Sequence, residues 1–227
     1  MKTALTFASL ALASLSGAAV AQTTLFEQLP ILDNIISSDS SGSDENQRIA
    51  DDFVFGDAVD VTSIQWWGAY TPLGTDSAGL ALDDFSITIF SNGTNATGDV
   101  PDQIVFQSSV SVTAVDTGDD ILGLVDQFLY TATLATPLTL NGNERYWLQV
   151  LNNTGLGAGD PPGSWGWEVA GEEPNGFFAT RSGDGNWSRA TAGTAALAFR
   201  INGSVVPTPG AAAVFGAAGL VAFRRRR

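Results

Sequence analysis

Apolar and polar residues alternate along much of this chain with a period of two, the spacing of a strand that buries one face. Residues 85–90 show it plainly, with Phe85, Ile87 and Ile89 set against Ser86 and Thr88. Residues 48–55 and 59–70 are β-branched and aromatic, and the turn pair Gly56-Asp57 separates them. A further strand is predicted over 103–113, after a loop rich in Gly, Asn and Pro. Another is predicted over 128–134, where Phe128, Tyr130, Ala132 and Leu134 alternate with polar or small neighbours. Asn141-Gly142 predicts a hairpin between 137–140 and 146–151. Residues 164–170 put Trp165, Trp167 and Val169 on one side, and 177–181 and 195–201 bring the series to about ten short strands.

No window outside the two terminal segments carries a 3.6-residue apolar period. The fold class predicted is therefore all-β, an antiparallel β-sandwich of jelly-roll-like form. Each strand has one apolar face, and two such sheets must cover each other. Burial of the Trp, Phe and Ile faces, at about 25 cal/mol per Å², is the main stabilising contribution expected. Residues 37–46 (SSDSSGSDEN) interrupt the pattern; they are polar and of low complexity, and a mobile loop is expected there.

The two ends follow a different rule. Lys2, the apolar stretch 4–15 and Ala19-Val20-Ala21 have the order of a secretory signal peptide, cut between Ala21 and Gln22. At the other end, Pro207-Thr208-Pro209 precede an apolar run and then Arg224, Arg225, Arg226 and Arg227. A short apolar helix closed by a basic cluster is a membrane stop signal with its positive end inside the cell. The run 210–223 has fourteen residues, short of the roughly 20 that cross a bilayer core. That length suits transient inner-membrane anchoring. Three segments are thus expected: a signal peptide over 1–21, a sandwich over 22–205 and a sorting signal or anchor over 206–227.

Pro-Thr-Pro, a small-residue helix and a closing Arg run resemble the PEP-CTERM sorting signal, with Thr208 where the commonest form has Glu. The resemblance implies an exosortase-type sorting transpeptidase as partner and a destination at the cell envelope, the cell surface or the extracellular space. The body resembles the Trp-rich β-sandwich domain of exported PEP-CTERM proteins, a domain of unassigned activity. The residues that carry this likeness are Leu25-Phe26-Glu27-Gln28, Ala50-Asp51-Asp52-Phe53, the stretch 64–70 (IQWWGAY), Arg145-Tyr146-Trp147-Leu148, the stretch 164–168 (SWGWE) and Asp184-Gly185-Asn186-Trp187.

Composition narrows the chemistry. With Lys2 and the four terminal arginines set aside, five arginines face 24 acidic residues. A body that acidic repels phosphate backbones, which excludes nucleic acid as a partner, and it can attract divalent cations. The chain has no Cys and no His. Disulfides, the usual zinc sites, and Cys-His or Ser-His-Asp nucleophilic catalysis are excluded with them.

Three constellations could still carry function. Among six tryptophans, Trp165 and Trp167 share a strand face and could form a stacking platform for sugar rings, with Trp187 beside them and Glu168 turned the opposite way; filling a sandwich core is the competing role. Asp116, Asp119, Asp120 and Asp184 could supply oxygen ligands to a structural calcium ion, as could Asp51-Asp52 and Asp83-Asp84. None has EF-hand spacing, Asx-turns and caps also explain such positions, and no other cofactor is indicated. Glu168, Glu172, Glu173 and Asp184 lie within a short stretch that includes Trp165 and Trp167 and are the one grouping that could flank a glycosidase cleft. The readings are therefore an exported, non-enzymatic surface or extracellular-matrix protein associated with envelope or extracellular polysaccharide, a carbohydrate-binding module, and a glycan hydrolase with Glu168 and Asp184 as acid and base.

Overall fold

The structure, a computed structural model, describes residues 23–40, 46–70, 83–153, 164–171, 177–190 and 196–207. The expected signal peptide with its Ala21-Gln22 cut, the sorting signal from Thr208 to Arg227, and Glu172 and Glu173 lie outside the described residues.

Two antiparallel sheets face each other, as the alternation predicts, and no helix occurs among the described residues. The first sheet runs in the order β1 (Thr23–Gln28), β13 (Phe199–Val205), β4 (Val59–Tyr70), β10 (Trp165–Ala170), β2 (Pro30–Ser37). On the other side of β4 it continues through β8 (Val125–Leu140) to β7 (Val112–Ile121). The second sheet runs β12 (Ser188–Arg189), β11 (Ala179–Ser182), β3 (Gln47–Val54), β9 (Arg145–Asn152), β5 (Phe85–Asn95), β6 (Gly98–Val110). Period-two burial decides which side chains meet between them. Ile64, Trp66 and Tyr70 of β4, Trp165 and Trp167 of β10 and Phe199 and Ile201 of β13 pack on Ile49 and Phe53 of β3, Phe85, Ile87 and Ile89 of β5 and Leu148 and Val150 of β9. Aromatic rings fill the middle: Phe85 stands edge-on to Trp66 and Trp165, with centroids 5.3 and 5.1 Å away.

Several expectations are corrected. Asn141-Gly142 turns the chain without making a hairpin, because β8 pairs with β4 and β7 whereas β9 pairs with β3 and β5. The turn carries the chain from one sheet to the other, as Gly56-Asp57 does between β3 and β4. The two crossings touch: Asn143 donates its backbone N–H to Phe55 O at 2.7 Å and its Nδ2 to Gly56 O at 2.9 Å. A Cβ on Gly142 would lie 2.5 Å from the Asp57 carbonyl carbon, so this contact requires glycine.

β8 is one strand where two were expected, and Pro137 does not break it. Its partner register jumps from Leu138 to Thr133 opposite Val61 and Ser63. Pro137 falls in that bulge, where no ladder bond is asked of it.

The start of the expected mobile loop is built into the fold. Ser38 donates its hydroxyl to Val150 O at 2.6 Å, and buried Asp39 accepts the Trp165 N–H at 3.0 Å. Residues 41–45 lie outside the described residues. The acidic pairs serve similar internal ends. Buried Asp51 accepts from the Leu197 N–H at 2.6 Å and the Asp52 N–H at 2.9 Å, Asp52 pairs with Arg145 at 3.0 Å, and Asp83 accepts the Tyr70 hydroxyl.

Candidate functional site

Every strand of the second sheet sends alternate side chains outward, and there polar groups stand beside a small apolar cluster. Thr88 on β5 stands opposite Gln149 on β9 and Gln107 on β6. Arg48 on β3 stands opposite Arg181 on β11. Between them Ala50 and Ala179 face each other, and their short side chains admit the Trp187 indole, which packs there with Phe90, Val100 and Trp147. The indole forms one wall of an open groove of about 980 Å³ across the outer face of this sheet. The turn between β5 and β6 forms another wall and is tied to the first. Asn95 Nδ2 donates to Trp187 O at 2.8 Å, and the Arg189 N–H donates to Thr97 Oγ1 at 3.1 Å.

Thr88 and Gln149 lie at the floor, 1% and 2% exposed. Thr88 Oγ1 and Gln149 Oε1 meet no hydrogen-bond partner among the described residues. A buried polar atom left unpaired costs about 1–3 kcal/mol, so a ligand hydroxyl that met either atom, once its side chain turned toward the groove, would recover binding energy there. At the side, Arg48 Nη1 reaches Asp184 Oδ1 at 2.9 Å, and the Asp184 carboxylate is 87% exposed. Arg181 holds its guanidinium 4.4 Å above the Trp187 ring and 5.9 Å from that of Phe90. Among the described residues no carboxylate lies within ion-pair distance of it. Burial first, and then the neighbouring Arg48, lower the pKa of Arg181 against the opposing charge of Asp184, although a guanidinium stays charged at any physiological pH. Four of the body's five arginines, Arg48, Arg145, Arg181 and Arg189, stand on this one sheet.

The residues singled out by sequence are distributed quite differently. Trp165 and Trp167 do share a face, but it is the inner one, where both are fully buried; they form no stacking platform. The reason is that β10 lies inside its sheet between β4 and β2, so its bulky face has to meet the opposite sheet. Trp66 and Trp67 point to opposite sides as strand geometry demands, yet Trp67 too is covered, by Ala170, Ala196, Ala198 and Leu129 on the outer face. Trp187 alone borders the groove; it is 7% exposed, with Arg181 over its ring.

Glu168 faces away from Trp167 but is also completely buried, under β2 and the β7–β8 turn. Its Oε1 accepts from the Leu32 N–H at 2.9 Å and its Oε2 from Gln127 Nε2 at 2.6 Å. Burial, opposed by those two donors, pushes its pKa up to about 7. Asp184 belongs to the other sheet, so the two carboxyls do not flank a common cleft. Asp184 is likewise separated from Asp116, Asp119 and Asp120 on β7. Asp116 there accepts the Gly118 N–H at 2.7 Å in an Asx-turn. Among the described residues no group of three or more acidic side chains is placed to hold a metal ion.

The residues that sequence reading missed are Arg48, Thr88, Gln149 and Arg181, one from each of four strands. Their only signal was to be polar or charged at outward positions of otherwise apolar strands. Fold and site together define a two-sheet antiparallel sandwich with a polar, arginine-bearing groove on one outer face. The chain belongs to the DUF7901 family, a domain of unknown function, which matches residues 25–202. No curated protein and no solved structure matches the chain.

Proposed function

We propose that the protein is an exported, non-enzymatic polysaccharide-binding component of the cell surface or extracellular matrix, and that it receives a sugar chain in the groove of the second sheet. The observation that carries this reading is the floor, where Thr88 Oγ1 and Gln149 Oε1 lack partners beneath an open cleft. Sugars carry dense hydroxyls, each able to donate to such an acceptor. This reading moves the binding role from Trp165 and Trp167 to the opposite sheet. Support for export comes from the two ends of the chain, and a PEP-CTERM-like tail makes a sorting transpeptidase the partner that transfers the body to the envelope.

Affinity electrophoresis of the purified chain through gels containing neutral and acidic polysaccharides tests the groove. At least one polymer should retard it, and the Thr88→Val, Gln149→Leu double variant should bind about 30-fold more weakly, as expected when two hydrogen bonds of about 1 kcal/mol each are removed. Both substitutions replace unpaired polar atoms by apolar ones of similar size, so the fold is retained. Free migration in every polysaccharide gel would eliminate the proposal. For the address, mass spectrometry of the surface fraction should find a chain that begins at Gln22 and lacks Arg224 to Arg227. Surface protein that keeps the arginines would rule out sorting by cleavage.

A further inference from the structure

We infer that the groove is selective for a carboxylated sugar, a uronate unit of an acidic polysaccharide, with Arg181 as the residue that receives the carboxylate; this rests on the polysaccharide reading above. Arg181 and Arg48 are directly opposed across β11 and β3, and like charges so placed destabilise a sheet. Asp184 makes a direct ion pair with only one of them, Arg48, and acts on Arg181 from a longer distance. The other acid of the lining, Asp102, accepts from Gln103 Nε2 at 3.1 Å. Arg181 is thus a cation on the groove wall with its guanidinium over Trp187 and no carboxylate in direct ion-pair contact among the described residues.

Stacking on an indole holds a guanidinium in one plane, and in that plane its N–H fork matches a carboxylate in two-point contact. Its Nε, like those of Arg48 and Arg189, is buried with no hydrogen-bond partner among the described residues. The unpartnered Thr88 and Gln149 acceptors lie on the same sheet face and line the same groove. A positive fork beside acceptors for hydroxyls is complementary to a uronate ring, which presents one carboxylate beside several hydroxyls. The acidity of the whole body does not decide against this, because at physiological salt charges more than about 8 Å away are largely screened.

Calorimetric titration of the purified chain with polygalacturonate, uncharged dextran and dextran sulfate tests the inference. Polygalacturonate should bind and the other two should not. Arg181→Gln should weaken that binding at least 10-fold and Arg181→Lys by less, whereas Arg200→Gln, the same loss of charge on the other sheet, should change it less than 2-fold. A thermal melt of each variant establishes that it is folded. Equal binding of dextran sulfate, or equal effects of Arg181→Gln and Arg200→Gln, overturns the assignment. Binding of dextran or another neutral polysaccharide with polygalacturonate silent also overturns it and leaves the polysaccharide reading standing. Silence of every polymer removes both.

Discussion

Glu168 has both carboxylate oxygens engaged by donors and no exposed surface. Its neighbours would suit an anion, yet burial outweighs them and raises the pKa to about 7 from an ordinary value of 4.5. The folded state therefore holds the proton more tightly than the unfolded chain does. By linkage, the stability this contributes is present in full below pH 4.5 and is lost as pH rises through about 7. Glu168→Gln cannot lose a proton. Its amide can satisfy both neighbours if Gln127 turns its own amide over, because Thr117 Oγ1, now 2.7 Å from Gln127 Oε1, can accept as well as donate. Urea midpoints measured from pH 4 to pH 8 should fall for the wild-type chain relative to Glu168→Gln; parallel curves would show that the carboxyl ionises normally. Sequence alternation correctly turned Glu168 away from Trp167. That its far side is roofed depends on Leu32, at φ 59°, whose left-handed backbone turns its N–H to the carboxylate and its C=O to the Leu122 N–H.

Strands were legible where one face is apolar and the other is not. β4 and β10 were placed to within a residue, because Ile64-Trp66 and Trp165-Trp167 each mark a face buried by the opposite sheet. β1, β2 and β7 were missed for the converse reason: β1 and β7 are edge strands with largely exposed side chains, and the left-handed Leu32 breaks the alternation in β2. Turn chemistry was legible as turning but not as destination. Asn141-Gly142 has the composition of a hairpin, whereas its glycine serves contact between two crossings of the sandwich. Gly142→Ala would force a methyl to 2.5 and 2.9 Å from backbone atoms of Asp57 and Ala58, which cannot rotate away as a side chain could. A loss of about 1–3 kcal/mol is expected, read as a lower urea midpoint at unchanged slope. A variant as stable as the wild type would mean that the two crossings do not bear on each other.

Across the whole molecule, the sequence by itself determined the class of fold, since period-two patterning without Cys or His leaves two facing sheets as the way to bury so many aromatic side chains. It also determined which chemistries are absent, because the missing side chains cannot be supplied by folding. What only the tertiary structure decided is where polar and charged groups gather. Averaged over the chain, five arginines among 24 acids describe a surface hostile to anions. In space, four of the five lie on one sheet, and Arg48, Thr88, Gln149 and Arg181 meet although they are up to 133 positions apart in the chain. Strand pairing places residues by register and not by distance along the chain, so composition and local pattern cannot show that neighbourhood. The same holds for the tryptophans: alternation tells which of them share a face, and only the packing of one sheet on the other decides which face is inside.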